Sequence, residues 1–511
     1  MASSVTTPAR TGERSLASKT AWSALAGVAS LMGRLAVAVV IARSLGPEGM
    51  GRIVYLIWIA ETASLVVNLG LQNSLTRYLA SLIGQGRIRE CRGLTAWLYV
   101  RYLLLAVAGA GVVGLGARKL AVSGASETVC FLLALCILSK GLGTIYHAYL
   151  AGSQRFEISA RINMLSSAGM VAGTMIGIGV LGQAGALVGY TAGSVLPALW
   201  SFSLLRNIST AVWPDAPLRR RLWKYSLQTW LAAIVSAFVW SRMEILYIEH
   251  YWSDREVAMF AAGLTLAAMV SQVATLFSGA FLAHLSQLCG MQDRKAIQRT
   301  YATGTRLMML LVFPISFGGA AVMPDLLPRL YGPEFVAAVP NAAVLLIASF
   351  TSFAFVGSAL VYAMERSGFI AITSFLGAVT SVVACVLIVP RYGAWGAVWT
   401  RSAIQFSMIA LGIWYITRRM RYSFPFGALG RTLISAVLSA ATAWLVVNLC
   451  DTEIALPLAI PASVGVYALA IRTLRLVNAA DVKSLQGILG RLPLGLRTPA
   501  TSFLEWVAAK A

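Results

Sequence analysis

Long apolar runs separated by short polar or glycine-rich joints fill this chain, and the run from Ala21 to Ala42 sets the pattern. It carries a single arginine, Arg34, and closes in the turn Leu45-Gly46-Pro47-Glu48-Gly49-Met50-Gly51. About 22 residues at 1.5 Å each cross a hydrocarbon layer of about 30 Å, so the run predicts a membrane-spanning helix. Runs of similar character recur at 53–83, 94–116, 128–150, 158–181 and 184–206. After a basic linker they continue at 225–250, 257–289, 301–322, 339–364, 369–389, 396–418, 431–450 and 457–474. The pattern predicts an all-α polytopic membrane protein of about 14 transmembrane helices. Its first run reads as a retained helix rather than a removed signal peptide, because no small-residue cleavage site follows it.

The pattern also repeats. Adding 208 takes Trp22 to Trp230, Ala29 to Ala237, Arg34 to Arg242 and Glu48 to Glu256, and further on pairs Glu157 with Glu365 and Gly185-Ala186 with Gly393-Ala394. Read as one ungapped register, this is a tandem duplication of six spans, followed by an accessory pair. Six spans per repeat predict the same membrane orientation for both lobes and a pseudo-twofold axis along the membrane normal, an architecture in which transporters hold substrate between lobes. The predicted boundaries are an N-terminal tail at 1–18, an N-lobe at 19–206, a basic linker at 207–224, a C-lobe at 225–418, accessory spans at 419–474 and an amphipathic tail at 475–511.

Composition agrees with a membrane protein: 58% of residues are apolar, 12% are charged and the mean hydropathy is +0.75, too little polar surface for a soluble domain of this length. The net charge of +22 raises nucleic acid as a partner, but the basic residues form no single patch. One set of alternate loops holds Arg87, Arg89, Arg92, Arg155, Arg206, Arg219, Arg220, Arg221, Lys224, Arg294, Lys295, Arg299, Arg366, Arg418, Arg419, Arg421 and Arg431. The opposite set holds only Arg43, Arg52, Arg118, Lys119, Arg255, Arg329 and Arg391. The positive-inside rule therefore places both termini in the cytoplasm and turns the charge into a topology signal.

Charges inside spans are costly, and each should snorkel, pair or face water. Arg77, Arg101, Arg161 and Arg306 lie near cytoplasmic ends and are expected to snorkel, as are Lys140 and Arg401 from deeper positions. Arg34 and Arg242 are different: each lies about 12 Å inside the outer end of its helix by helical rise. Two guanidiniums facing a cavity suit a phosphate or diphosphate, because each offers fixed bidentate donors. The alternative is structural pairing with an acid, and Glu61 lies about as deep as Arg34. Glu61 and Glu244 are the intramembrane carboxylates available to a coupling Na⁺ or H⁺. On a continuous helix, Glu244 points away from Arg242.

Other features read as structure. Cys91, Cys130, Cys136, Cys289, Cys385 and Cys450 are scattered without metal-ligand spacing. His284 reads as a hydrogen-bonded core residue, Gly169, Gly173 and Gly177 as a close helix-packing face, and Pro197, Pro314 and Pro390 as kinks or helix ends. No nucleophile–base pair, phosphate-cradling loop or metal motif stands in a loop. The reading is a non-enzyme without metal or cofactor, whose energy comes from an ion gradient, the membrane potential, the substrate's own gradient or a partner.

At Ala42-Arg43-Ser44-Leu45-Gly46-Pro47-Glu48-Gly49-Met50-Gly51-Arg52 the chain resembles the polysaccharide transporter branch of the multidrug/oligosaccharidyl-lipid/polysaccharide exporter superfamily. The resemblance continues through Leu69-Gly70-Leu71-Gln72-Asn73-Ser74-Leu75-Thr76-Arg77-Tyr78, Gly182-Gln183-Ala184-Gly185-Ala186 and Leu330-Tyr331-Gly332-Pro333-Glu334-Phe335. It implies a flippase of the bacterial inner membrane that carries undecaprenyl-diphosphate-linked oligosaccharides, O-antigen or exopolysaccharide repeat units, to the periplasmic leaflet. It further implies a cationic central cavity, to which Arg34 corresponds and Arg242 follows by the repeat, and a glycan polymerase and other assembly proteins as partners beside membrane lipid. A peptidoglycan-precursor flippase, an ion-coupled multidrug or metabolite antiporter of the same fold, and a non-transporting scaffold are the alternatives.

Overall fold

The computed structural model describes residues 9–116, 126–205, 212–240, 242–450 and 452–477. The amphipathic segment after Val477 and the first eight residues, both assigned above, lie outside them. Among the described residues the chain is helical, with no strand.

The helices are α1 (Ala9–Asn68), α2 (Leu71–Gly84), α3 (Ile88–Gly116), α4 (Glu127–Gly152), α5 (Phe156–Leu181), α6 (Gly185–Ser201), α7 (Ala216–Trp240) and α8 (Glu244–Tyr251). They continue as α9 (Asp254–Gly290), α10 (Arg294–Tyr331), α11 (Val339–Ala348), α12 (Phe355–Ala363), α13 (Ser367–Trp414), α14 (Phe426–Leu449) and α15 (Thr452–Thr473). Ten stretches are long and apolar enough to cross a membrane, and three of them hold two spans each. The backbone of α1 turns at Gly46 (φ 67°), that of α13 at Gly393 (φ 56°), and α5 and α6 are separated by Gly182 (φ 57°). With α7, a helix outside those ten stretches, each of the predicted fourteen spans has a helical counterpart, and the protein is a multi-pass membrane protein. Pro197, Pro314 and Pro390 all lie inside helices.

The chain divides into two compact units. The first runs to Glu249 and takes in Ser253–Ala258; the second comprises His250–Trp252 and everything from Met259 onward. α7 belongs to the first unit because polar groups bind it there. Ser74 Oγ lies 2.6 Å from Ser226 Oγ and donates to Leu222 O, and Trp230 Nε1 donates to Leu65 O at 3.1 Å. The motif Leu69-Gly70 now has a structural reason. Both residues have positive φ (44° and 72°), the second span breaks there, and a Cβ on Gly70 would stand 2.1 Å from Ser226 O. Around this contact packs a core of Leu71, Leu75, Leu79, Leu98, Tyr99 and Tyr102.

α5 and α6 meet backbone to backbone. A Cβ on Gly185 would lie 1.8 Å from Gly177 O, one on Gly177 2.2 Å from Gly185 O, and one on Gly173 2.8 Å from Ala192 Cβ. This is the close packing that small residues four apart permit.

In the second unit, Phe313, Phe317, Phe350 and Phe353 form an aromatic core, with Phe313 and Phe350 centroids 4.9 Å apart. The accessory helices α14 and α15 pack on α10, and Tyr467 Oη donates to Leu310 O at 2.9 Å. The motif Leu330-Tyr331-Gly332-Pro333-Glu334-Phe335 closes α10 with Tyr331 and Phe335 both buried.

The two halves repeat, but not in one ungapped register. Gln154 and Glu365 share φ 57°, and Gly182 (57°, −131°) and Gly393 (56°, −139°) share one backbone state. Each pair stands 211 residues apart. The starts of α3 and α10 are 206 apart. Gly185-Ala186 therefore corresponds to Gly396-Ala397, not to Gly393-Ala394. Short insertions in joints and helix ends shift the register without altering the order of elements.

Candidate functional site

The first unit gathers the charges that were scattered along the sequence. Arg34 stands exposed on the first limb of α1, Glu61 on its second limb, Lys140 on α4 and Tyr190 on α6. Arg242 sits half-buried in the break between α7 and α8, and its carbonyl accepts from Ile245 N at 3.2 Å. Lys140 Nζ lies 2.8 Å from Glu61 Oε1. Arg242 and Arg34 both stand close enough for their charges to act on Glu61 and on the Tyr190 hydroxyl. Three cations, one carboxylate and one phenol thus share a neighbourhood.

The Glu61 and Lys140 side chains keep 50% and 36% of their surface open. A charged pair at mid-span cannot face hydrocarbon without a large penalty, so the open side is a water-accessible one. Among the described residues, neither Arg34 nor Arg242 forms an ion pair with a carboxylate. Lys140 neutralises Glu61, which leaves two guanidiniums, each with a rigid fork of donors suited to a phosphate or carboxylate.

Several sequence expectations change here. The acid beside Arg34 is bound by Lys140, which does not snorkel. Span 7 is not continuous at Arg242, so the opposed-face argument for Glu244 does not apply; Glu244 instead opens α8 and is buried at 2% exposure. Arg401 is largely buried, at 8% exposure. Arg77 and Arg161 remain exposed, Arg77 4.4 Å over the Tyr225 ring and Arg161 bonded to Glu157 one helical turn away. His284 is exposed rather than a core residue, while His147 lies 3.2 Å from Ser159 Oγ. Cys91, Cys130, Cys136 and Cys385 are buried, and among the described residues no group of His, Cys, Asp and Glu could hold a metal. Sequence reasoning missed Tyr190. It lies in an apolar run, and only the packing of α6 against α4 brings it to the charges.

A family model described as "polysaccharide biosynthesis protein" matches residues 40–340. The chain belongs to that family. Solved structures share its fold. It matches the lipid II flippase MurJ in an inward closed conformation with TM-score 0.71 and 13% identity, over 88% of this chain and 97% of that one. It matches an inward-facing multidrug resistance MATE transporter of the MOP superfamily with TM-score 0.63 and 14% identity, over 77% and 94%. A Vibrio cholerae MATE transporter matches with TM-score 0.54 and 13% identity, over 80% and 97%. At these identities the likeness is one of fold. No curated protein matches the sequence.

Proposed function

We propose that this protein is a flippase that moves an undecaprenyl-diphosphate-linked oligosaccharide, an O-antigen or exopolysaccharide repeat unit, from the cytoplasmic to the periplasmic leaflet of the bacterial inner membrane. The observation that carries the reading is the state of the two arginines: Lys140 takes Glu61 at 2.8 Å, and Arg34 and Arg242, whose charges reach the same carboxylate, form no ion pair of their own among the described residues. A diphosphate supplies the missing negative charge and accepts bidentate hydrogen bonds from both forks. The polyprenyl tail stays in lipid while the sugars and diphosphate cross beside the open, charged face. Both termini lie in the cytoplasm, in keeping with the arginine distribution. Coupling to Na⁺ or H⁺ falls to Glu61, with Glu244 as the second acid: loading Glu61 with a proton or a cation weakens its hold on Lys140 and changes the charge presented to the substrate.

Transport of the peptidoglycan precursor is the second reading, favoured by the fold match to a lipid II flippase. A MATE-like role with cationic drugs is opposed by the surplus of positive charge in the cluster. Deleting the gene and identifying the lipid-linked glycan that accumulates on the cytoplasmic leaflet separates these. A repeat-unit lipid supports the proposal; lipid II accumulation moves the assignment to the second reading. Sensitivity to cationic drugs without any accumulation removes both.

A further inference from the structure

A second cationic site lies away from the Arg34–Arg242 cluster, on the arginine-rich side of the first unit. Trp97, Arg101, Ala216, Arg219, Arg220 and Trp223 line an open cavity of 470 Å³, within the about 300–1,000 Å³ range of small-molecule clefts. The wall is built rather than incidental. Arg101 Cζ stacks 3.7 Å from the Trp97 ring centroid, and its Nη1 donates to Trp97 O. Trp97 and Trp223 meet edge to face at 6.4 Å. The segment leading into α7 is pinned to α3, because Val212 N donates to Arg89 O at 3.2 Å and a Cβ on Gly93 would stand 1.8 Å from Val212 O.

Among the described residues no acid lines this cavity. Asp215, beside it in sequence, caps α7 by accepting from Leu218 N at 3.0 Å, and Glu90 is held by Arg87. Arg219 is close enough to repel Arg101. Three arginines in one cavity wall, with no acid among the described residues lining it, fit an anion with several acceptor oxygens. Two indoles in the wall, and Val212, Trp213 and Leu227 exposed close by, put the cavity at the level where tryptophans meet lipid headgroups. Basic pockets beside spanning helices on such a face bind phosphate headgroups.

We propose that this cavity holds the phosphate headgroup of an anionic glycerophospholipid from the arginine-rich leaflet, and so anchors the start of α7 to the bilayer.

The test is native mass spectrometry of the purified full-length protein with phosphatidylglycerol, with phosphatidylcholine, and with phosphatidylglycerol plus millimolar inorganic phosphate. The wild type is expected to retain phosphatidylglycerol over phosphatidylcholine by about tenfold or more, in line with several charge-assisted hydrogen bonds, with inorganic phosphate unable to displace it. Arg219→Gln with Arg220→Gln should remove that preference. Arg219→Lys with Arg220→Lys should lose most of it, because charge remains but the forks do not. Arg418→Gln with Arg419→Gln, elsewhere on the chain, should leave it intact. Equal retention by the Gln pair, full retention by the Lys pair, or an equal loss in the Arg418/Arg419 pair would overturn the site in favour of diffuse charge. Displacement by inorganic phosphate would overturn the lipid as its occupant. Should the Gln pair fail to fold, the Lys pair carries the test.

Discussion

Lys140 Nζ lies 2.8 Å from Glu61 Oε1, and this pair decides how much positive charge the cluster presents. Removing the lysine sets the two arginines competing for Glu61. Lys140→Met is therefore expected to slow transport by about tenfold while costing only about 1 kcal/mol of stability, because both side chains are well exposed. Adding Glu61→Gln to that variant should restore part of the rate. Flux measured in proteoliposomes checks both; a double variant slower than the single would break the charge-balance argument.

Arg34→Ala and Arg242→Ala remove the two proposed diphosphate forks. Arg34 is exposed, so its loss should change stability little, within about 0.5 kcal/mol. The double variant is expected to insert normally and abolish glycan export, with Arg34→Lys in between because an ammonium lacks the planar fork. Normal export by the double alanine variant, in a gene-deletion strain, would sink the clamp.

What the sequence revealed and concealed has physical reasons. The spans were legible because hydrocarbon thickness imposes a run length that no packing detail can hide. The close α5–α6 contact was legible because glycines four apart have few other uses inside a span. The break at Arg242 was not, since neither glycine nor proline stands between Trp240 and Met243, and charges such as Arg242 and Glu244 do not by themselves end a helix. The Lys140–Glu61 pair was hidden because equal depth on two helices does not say which helices are neighbours; Glu61 could as well have faced Arg34. The register slipped for a different reason: Gly-Ala occurs at both 393–394 and 396–397, and only the shared backbone turn at Gly182 and Gly393 shows which is equivalent.

The α5–α6 interface makes its own prediction. Gly185→Ala places a methyl group against Gly177 O, where backbone must move, and is expected to cost at least about 3 kcal/mol, at or beyond the upper end of overpacking penalties. Gly169→Ala meets only Ala192 O at 3.7 Å, and Gly179→Ala meets nothing within 4 Å. Both should be neutral or slightly stabilising through the unfolded chain. Thermal unfolding in detergent distinguishes them.

The last prediction concerns the matched turns. Gly182 and Gly393 both combine φ near 57° with strongly negative ψ, a region that side-chain-bearing residues avoid. At Gly182 a Cβ would meet nothing within 4 Å, so the cost of Gly182→Ala is conformational alone, about 1–3 kcal/mol. Gly393 is buried and in the same backbone state, so Gly393→Ala should cost at least as much. A control at the position matched by the ungapped register, Pro390→Ala, lies inside a helix and should cost less than either or stabilise, since it returns a donor to the helix. If Pro390→Ala proved as damaging as Gly182→Ala while Gly393→Ala was harmless, the shifted register would be wrong and the ungapped duplication would return.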